Sequence, residues 1–443
     1  MTFALKDILR MEVAPALGCT EPVAIALAAA AAASLLPPGD IASIEIWVDP
    51  NVYKNGLAVC IPGTPGLAGL DTAAALGALD GDPALRLEAL QPVTPETVKA
   101  ALRLMEQGRV RVNVLDQTGL HVRAQVARGG STAEAVITGT HDNIVRLARD
   151  GKPVADSPLL REAAAGDKGG LAELEAWLRR LSLDDLVNLA RSADQEDLDF
   201  VEQSVRANMA LAEYGLLHGP GLGVGKAMER LVRQKLMAKD MILAARMLTS
   251  AAADARMSGV KMTAMSSAGS GNHGLTAVLP IWAVKDYVDC TRRAVLEAVC
   301  LSHLVTGYVK AHTGRLSALC GCSVAAGAGA AAGVTYLLGG GVAHMAGAMK
   351  NLIQDLAGVI CDGAKLGCAM KLATAAGGAV QAALFALQGV VVGQDDGIIG
   401  ATLEKTTENL GALSTQGMVE TDRTILRILT AKRLNVEQEP PAA

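Results

Sequence analysis

Apolar residues along the chain follow two different periods, and the change from one to the other marks out its organisation. The first 35 residues carry a helical pattern, broken at Pro15 and Gly18 and stopped by Pro37-Pro38-Gly39. Ile41–Val48 (IASIEIWV) then alternates and is rich in β-branched residues, which predicts a strand. Asp49-Pro50-Asn51 predicts a turn, Leu57–Ile61 a second short strand, and Thr94–Glu106 a helix. Val110–Leu115, Leu120–Arg128 and Glu134–Thr138 alternate between Gly-containing turns, as the strands of a meander do. From Leu171 to Met209 the period becomes helical, with Asp184 and Asp185 near a helix start, where negative charge favours the dipole. Nearly everything onward to Ala431 is helical pattern cut by Gly-rich turns. The polar stretch 150–168 predicts a connection, and the Pro-containing tail 437–443 a frayed end.

These patterns predict an α+β fold. An N-terminal α+β domain with a small sheet (1–150) is followed by a helical connecting segment (151–215). A large Ala/Gly-rich helical domain (216–435) is expected to carry the chemistry, with the leading helix and its Cys19 free to pack on it.

Composition refines this picture. The 443 residues are 51% hydrophobic but only 2% aromatic, so Ala and Gly must fill the core and let helices approach closely. A net charge of −5 and the lack of any Lys/Arg run argue against a nucleic-acid partner or an anionic membrane surface. Met1–Arg10 lacks the charged-then-apolar pattern of a secretory signal, which predicts a cytoplasmic protein. Pro22–Leu36 and Ser323–Met349 are apolar, but the first falls short of the roughly 20 residues that cross a bilayer. Both also depend on Ala and Gly, so buried core helices are expected rather than membrane spans. A homo-oligomer is a further expectation, because Ala/Gly helices pack well.

Candidate chemistry centres on eight cysteines, at 19, 60, 290, 300, 320, 322, 361 and 368. A chain this long without a secretory signal is expected to keep them reduced. Cys19 in ALGCTEP enters a helix with Pro22 in its first turn, where backbone N–H groups would lower a thiolate's pKa. LSALCGC holds a C-x-C pair, and ICDGAK is followed by Cys368 seven residues after Cys361. No C-x-x-C pair suggests a zinc finger, and no C-x₂-C-x₂-C run suggests a ferredoxin. By spacing alone the cysteines read most simply as buried thiols.

Met265–Gly274 (MSSAGSGNHG) formally contains G-x-G-x-x-G, although the strand before and helix after that a dinucleotide site needs are not evident. A loop of small residues with free N–H groups makes an anion nest suited to a carboxylate. SGNHG also echoes the carboxylate loop of pyridoxal-phosphate dehydratases, with Gly339-Gly340-Gly341 as their phosphate turn, but no Schiff-base lysine precedes it. GPGLGVGKAM fails the P-loop pattern at Pro220 and Ala227. His141 and His303 are candidate acid–base groups, though a lone histidine is more often structural.

Taken together, ALGCTEP, DPNVYKNGL (49–57), AADARMSG (252–259), MSSAGSGNHG, LSALCGC and ICDGAK resemble the L-cysteine desulfidase family. That family is related to the iron–sulfur L-serine dehydratase alpha subunit, and the resemblance runs in order from about Glu12 to Ala431. It implies a 4Fe-4S cluster held by Cys19, Cys320 and Cys361, with one iron left open. Some relatives have Ala where Cys322 stands, which favours Cys320. Cys368 stays open as a ligand, because the dehydratases take one a short way past their matching Cys-Asp. The implied reaction is non-redox elimination of hydrogen sulfide from L-cysteine, giving pyruvate and ammonium. Water elimination from L-serine, or a pyridoxal-phosphate dehydratase, is the alternative. The substrate carboxylate is expected on Ser266, Ser267, Gly269, Ser270, Gly271 and Asn272. Asn51, Lys54 and Asn55 would join them if the first domain folds over the site. Lys54, His273 and Ser270 remain candidate bases.

Overall fold

The computed structural model describes residues 2–64, 66–117, 119–160 and 170–436. Residues 161–168 of the expected connection and the tail 437–443 lie outside the described residues.

The N-terminal part runs α1 (Leu5–Glu12), β1 (Pro15–Leu17), α2 (Thr20–Ser34), β2 (Ile41–Val48), α3 (Pro50–Gly56), α4 (Leu70–Asp80) and α5 (Pro95–Glu106). Strands β3 (Val110–Val114), β4 (His121–Arg128), β5 (Ser131–Thr138), β6 (Ile144–Arg149) and β7 (Lys152–Pro153) complete it. The sheet order is β3-β2-β4-β5-β6-β7, with β2 parallel to β3 and the other neighbours antiparallel. The helix α2 is buried on all sides, as a helix apolar around its whole circumference must be. It lies between the sheet and α4, where a Cβ on Gly77 would sit 2.2 Å from the Ala26 carbonyl oxygen. Small residues therefore bring these two backbones into contact.

The helical part comprises α6 (Leu171–Leu178), α7 (Leu183–Arg191), α8 (Gln195–His218), α9 (Val224–Arg233) and α10 (Met241–Met257). A short β8 (Thr263–Met265) leads into α11 (Gly271–Val284), α12 (Arg292–Thr313) and α13 (Gly327–Leu337). The chain continues through α14 (Val342–Leu356), α15 (Cys368–Leu387), α16 (Leu403–Ala412) and α17 (Val419–Val436). Close approach recurs here, since a Cβ on Gly215 of α8 would lie 2.0 Å from the Ala251 oxygen of α10. The helices Arg292–Thr313 and Cys368–Leu387 are long and apolar enough to cross a membrane, but 89% and 56% of their apolar windows are buried inside the fold.

The fold class is the α+β arrangement expected, a small sheet unit near the N-terminus followed by a large helical one. Three local readings need correction. Pro50–Gly56 is a helix rather than a turn, because Asp49 accepts the N–H groups of Asn51 (2.9 Å) and Val52 (3.2 Å) and caps it. Leu57–Ile61 forms no strand; Cys60 makes only a single bridge to Ala68. The first 35 residues also divide between the units. The α1 side chains Leu5, Ile8 and Leu9 join the helical core with Trp177 and Leu178, whereas α2 belongs to the core of the sheet unit. A third, smaller core containing Cys19, Cys320, Cys322 and Cys368 joins the other two.

Candidate active site

Two pairs of remote segments build the site. In the first, β1 pairs antiparallel with β8, with Pro15 opposite Met265 and Leu17 opposite Thr263. The pairing runs on past the strands, Ser266 N–H donating to the Ala14 carbonyl (2.8 Å) and Ala268 N–H to the Glu12 carbonyl (2.9 Å), so residues 12–14 lie beside the 266–272 loop and Gly18-Cys19 leaves the other end of the ribbon. Gly18 holds φ +79°, and a Cβ there would lie 2.2 Å from Pro62 Cγ, so only glycine fits the bend. Buried Arg256 ties the two segments, donating to the Gly18 carbonyl (2.5 Å) and to Asn272 Oδ1 (2.9 Å). In the second pair, Cys320 N–H donates to the Val359 carbonyl (2.9 Å) and Cys361 N–H to the Ala318 carbonyl (2.6 Å). A widened π-type turn over Cys322–Ala326 follows, and Cys368 opens α15.

The 266–272 loop is a tight reversal. Ser267 and Ser270 exchange backbone hydrogen bonds (3.0 and 3.1 Å) around Ala268 (φ +46°) and Gly269 (φ +80°). A non-glycine residue in this left-handed region carries strain of about 1–3 kcal/mol, which the surrounding contacts must hold. The helix α11 starts immediately afterwards, and Ser270 gives it no side-chain cap.

Cys19, Cys320, Cys322, Cys361 and Cys368 all line one cavity of about 170 Å³; Cys60, Cys290 and Cys300 do not. Burial and neighbouring Glu21 push the Cys19 thiol well up, overriding the lowering expected from the helix start. Its Sγ–H donates to Glu21 Oε2 (3.1 Å), while Asn55 Nδ2 donates to Glu21 Oε1 (2.9 Å). The Asn55 oxygen faces Cys361 Sγ at 4.0 Å, so a polar chain runs from Cys19 to Cys361. Despite its burial, Glu21 is held well below the usual carboxylate range by His141, 3.8 Å away, and by Cys19. Pairing with Cys322 and bonding by Ser323 draw Cys320 down, and the same pairing raises Cys322. Burial raises Cys361, and it pushes Cys368 up to about 11.

Among the described residues, no three His, Cys, Asp or Glu side chains converge closely enough to hold a single metal ion. A polynuclear cluster makes a different demand, since its thiolates attach to separate irons. Soft thiols from three remote segments on one largely buried wall are the right donor set for it.

The model of the serine dehydratase alpha chain matches residues 85–427. The chain belongs to that family. Similar over nearly their whole lengths are UPF0597 proteins from Desulfatibacillum aliphaticivorans (62% identical, 98% of this chain, 100% of that one) and Desulfotalea psychrophila (59%, 98% and 99%). Another, from Clostridioides difficile, is 42% identical over 96% of this chain and 98% of its own length. The serine dehydratase match includes Cys320, Cys361 and Cys368 but starts after Cys19, whereas the full-length relatives span all four positions.

Of the residues singled out by sequence, Asn55, His141, Ser266, Gly269, Ser270, Asn272 and His273 line the cavity with the cysteines, and His303 does not. Asn51, Lys54, Ser267 and Gly271 are not among its walls. The Lys54 ammonium turns away to Asp422 on α17 (2.6 Å) and the Ser317 carbonyl (3.5 Å). The Ser267 hydroxyl bonds His303 Nδ1 (2.9 Å) behind the wall. Burial pushes His273 down to about 3, with Lys310 adding to the effect. Its Nδ1 faces the Ser267 carbonyl (3.2 Å), which makes Nδ1 the donor and leaves Nε2 bare. Gly321 admits that ring, since a Cβ there would lie 2.4 Å from Nε2. The 263–274 stretch does have a strand before and a helix after, but the strand belongs to a two-stranded antiparallel ribbon, not a βαβ unit. Gly339-Gly340-Gly341 lies between α13 and α14, away from the cavity.

Glu21, Arg256, Lys310 and Arg315 also line the cavity, and sequence reading passed over them. Burial and neighbouring Arg315 push Lys310 down to about 8. The Arg315 guanidinium is held by Glu12 (2.6 and 3.0 Å) and Glu175 (2.8 Å). A charged residue inside the apolar run of α12 was the one available signal for Lys310.

Proposed function

We propose that this chain is an iron–sulfur lyase that eliminates hydrogen sulfide from L-cysteine in the reducing cytoplasm, with Cys19, Cys320 and Cys361 as the cluster thiolates. One observation supports this above all: thiols from three remote segments line the same cavity as an uncapped helix start suited to a carboxylate. A 4Fe-4S cluster bound there supplies an open iron as a Lewis acid toward the leaving sulfur. The protein's own part is positioning and exclusion of water. The first-turn N–H groups of α11 have no intrahelical partner and face an anion favourably. Glu21 and Asn55 hold the sheet-unit side of the cavity against the cysteine wall. Loss of the Cα proton and cleavage of the Cβ–S bond release sulfide and aminoacrylate, which hydrolyses to pyruvate and ammonium. The bare Nε2 of His273 is placed on the wall, but its low basicity makes it a weak acceptor for that proton.

The family match favours a second reading, elimination of water from L-serine at the same site. Anaerobic reconstitution with iron and sulfide should give a brown protein that releases sulfide from L-cysteine faster than it forms pyruvate from L-serine. The opposite rate order would establish the serine reading. A protein that stays colourless and inactive toward both amino acids would overturn both.

A further inference from the structure

Five Lys and Arg side chains reach the cavity walls: Arg10, Arg256, Lys310, Arg315 and Lys371. Four have partners on the protein. Arg10 pairs with Glu196, Arg315 with Glu12 and Glu175, and Lys371 with Asp362. Arg256 is engaged by the Gly18 carbonyl and Asn272. The Lys310 side chain alone makes no hydrogen bond or ion pair with any described residue, although it is only 2% exposed. An ammonium this buried with no partner in direct contact is unfavourable, and an anion entering the cavity would relieve it. Its position says which part of a ligand it would meet. Lys310 projects from α12 near Cys320, Cys322 and Cys361, near His273 in the first turn of α11, and near Arg315, whose Nη1 is 3.6 Å from where a Gly269 Cβ would stand. The ammonium thus lines the cavity between the uncapped helix start and the cysteine wall.

We infer that Lys310, together with the first turn of α11, receives the α-carboxylate of the substrate and thereby restricts the site to substrates whose α-carboxylate is free. This deepens the lyase reading and rests on it for the identity of the ligand. A carboxylate there satisfies the Lys310 ammonium and the free N–H groups of α11 at once, which an amine without a carboxylate cannot do. Such a site should accept L-cysteine and reject its decarboxylated counterpart, cysteamine.

The test uses anaerobically loaded full-length protein and L-alanine, which keeps the amine and carboxylate but has no leaving group. Calorimetry should show L-alanine binding about 10- to 100-fold more weakly to K310M than to wild type, with K310R recovering part of the loss. L-alaninamide, lacking the carboxylate charge, should bind wild type and K310M alike. For L-cysteine, the K310M loss should appear mainly in KM, and cysteamine should be a poor substrate for both proteins. Iron content should be the same in all three proteins. Unchanged L-alanine affinity in K310M would overturn the assignment. A shared loss of iron in K310M and K310R would also overturn it, since Lys310 would then serve the cysteine wall instead. If K310M does not fold, wild type decides alone: equal affinity for L-alanine and L-alaninamide overturns the inference. A wild type that turns over neither cysteine nor serine, yet binds L-alanine through Lys310, would reject the lyase reading and retain this one.

Discussion

Cys320 and Cys322 stand two residues apart and are chemically unequal. Their mutual pairing lowers Cys320 and raises Cys322, which favours Cys320 as the thiolate. Cys320→Ala should abolish the visible absorption of reconstituted protein, while Cys322→Ala should keep it; the reverse pattern would exchange their roles. His303 behaves differently, because burial alone moves it from 6.5 to about 4. Above pH 6.5 neither the folded nor the unfolded chain protonates it, so its contribution to stability is complete there. Between 6.5 and about 4 only the unfolded chain takes up the proton, and stability falls by about 1.4 kcal/mol per pH unit. Below about 4 no further loss comes from this group. His303→Asn should flatten that window in urea melts relative to wild type, and parallel curves for the two proteins would refute the assignment. Lys310 and Glu21 show where residue-level reading stops. A lysine within an apolar helix and a glutamate after Cys-Thr gain meaning only from groups folded in from elsewhere in the chain. Asn55 could be singled out because it lies inside a recognisable motif.

At the level of elements, legibility followed local chemistry. The helix at Pro95–Glu106 could be read because Thr94 caps it and Pro95 opens it. Asp49-Pro50-Asn51 is ambiguous, since the same residues begin turns and helices, and the Asp49 carboxylate decides the matter by capping α3. β6 went unseen because IVRLAR alternates poorly, with two exposed and then two buried residues in succession. The β1–β8 ribbon was beyond reach too: three-residue strands carry almost no periodic signal, and their pairing is long-range. That ribbon depends on the left-handed bend at Gly18. Gly18→Ala should destabilise the protein by about 1–3 kcal/mol in urea melts and reduce the iron it retains. Unchanged stability and iron content would mean that the bend tolerates a side chain.

Across the whole molecule, two large cores meet at a third, smaller one that contains four of the five cavity cysteines. A group held by Cys19 on one side and by Cys320 and Cys361 on the other would fasten the sheet unit to the helical unit. Ligand binding to the native state alone stabilises by mass action, so reconstituted protein should melt at a higher temperature than the metal-free form. A chelator should reverse the gain, and identical melting curves would separate the cysteines from any role in joining the units. The sheet-then-helices layout was legible because hydrophobic periodicity is a local property. The joint between the units was not, because it is made by residues far apart in sequence. The pairing of β1 with β8, and of Glu12 with Arg315, also sets an order of events on the ribosome. Glu12 must wait for some 300 residues more before Arg315 exists, roughly 15 to 60 s at usual elongation rates. Cys19 spends that interval as an unsheltered thiol. The site is therefore completed only once Cys361 has been made, and any cluster delivered to it must come to a chain grown at least that far.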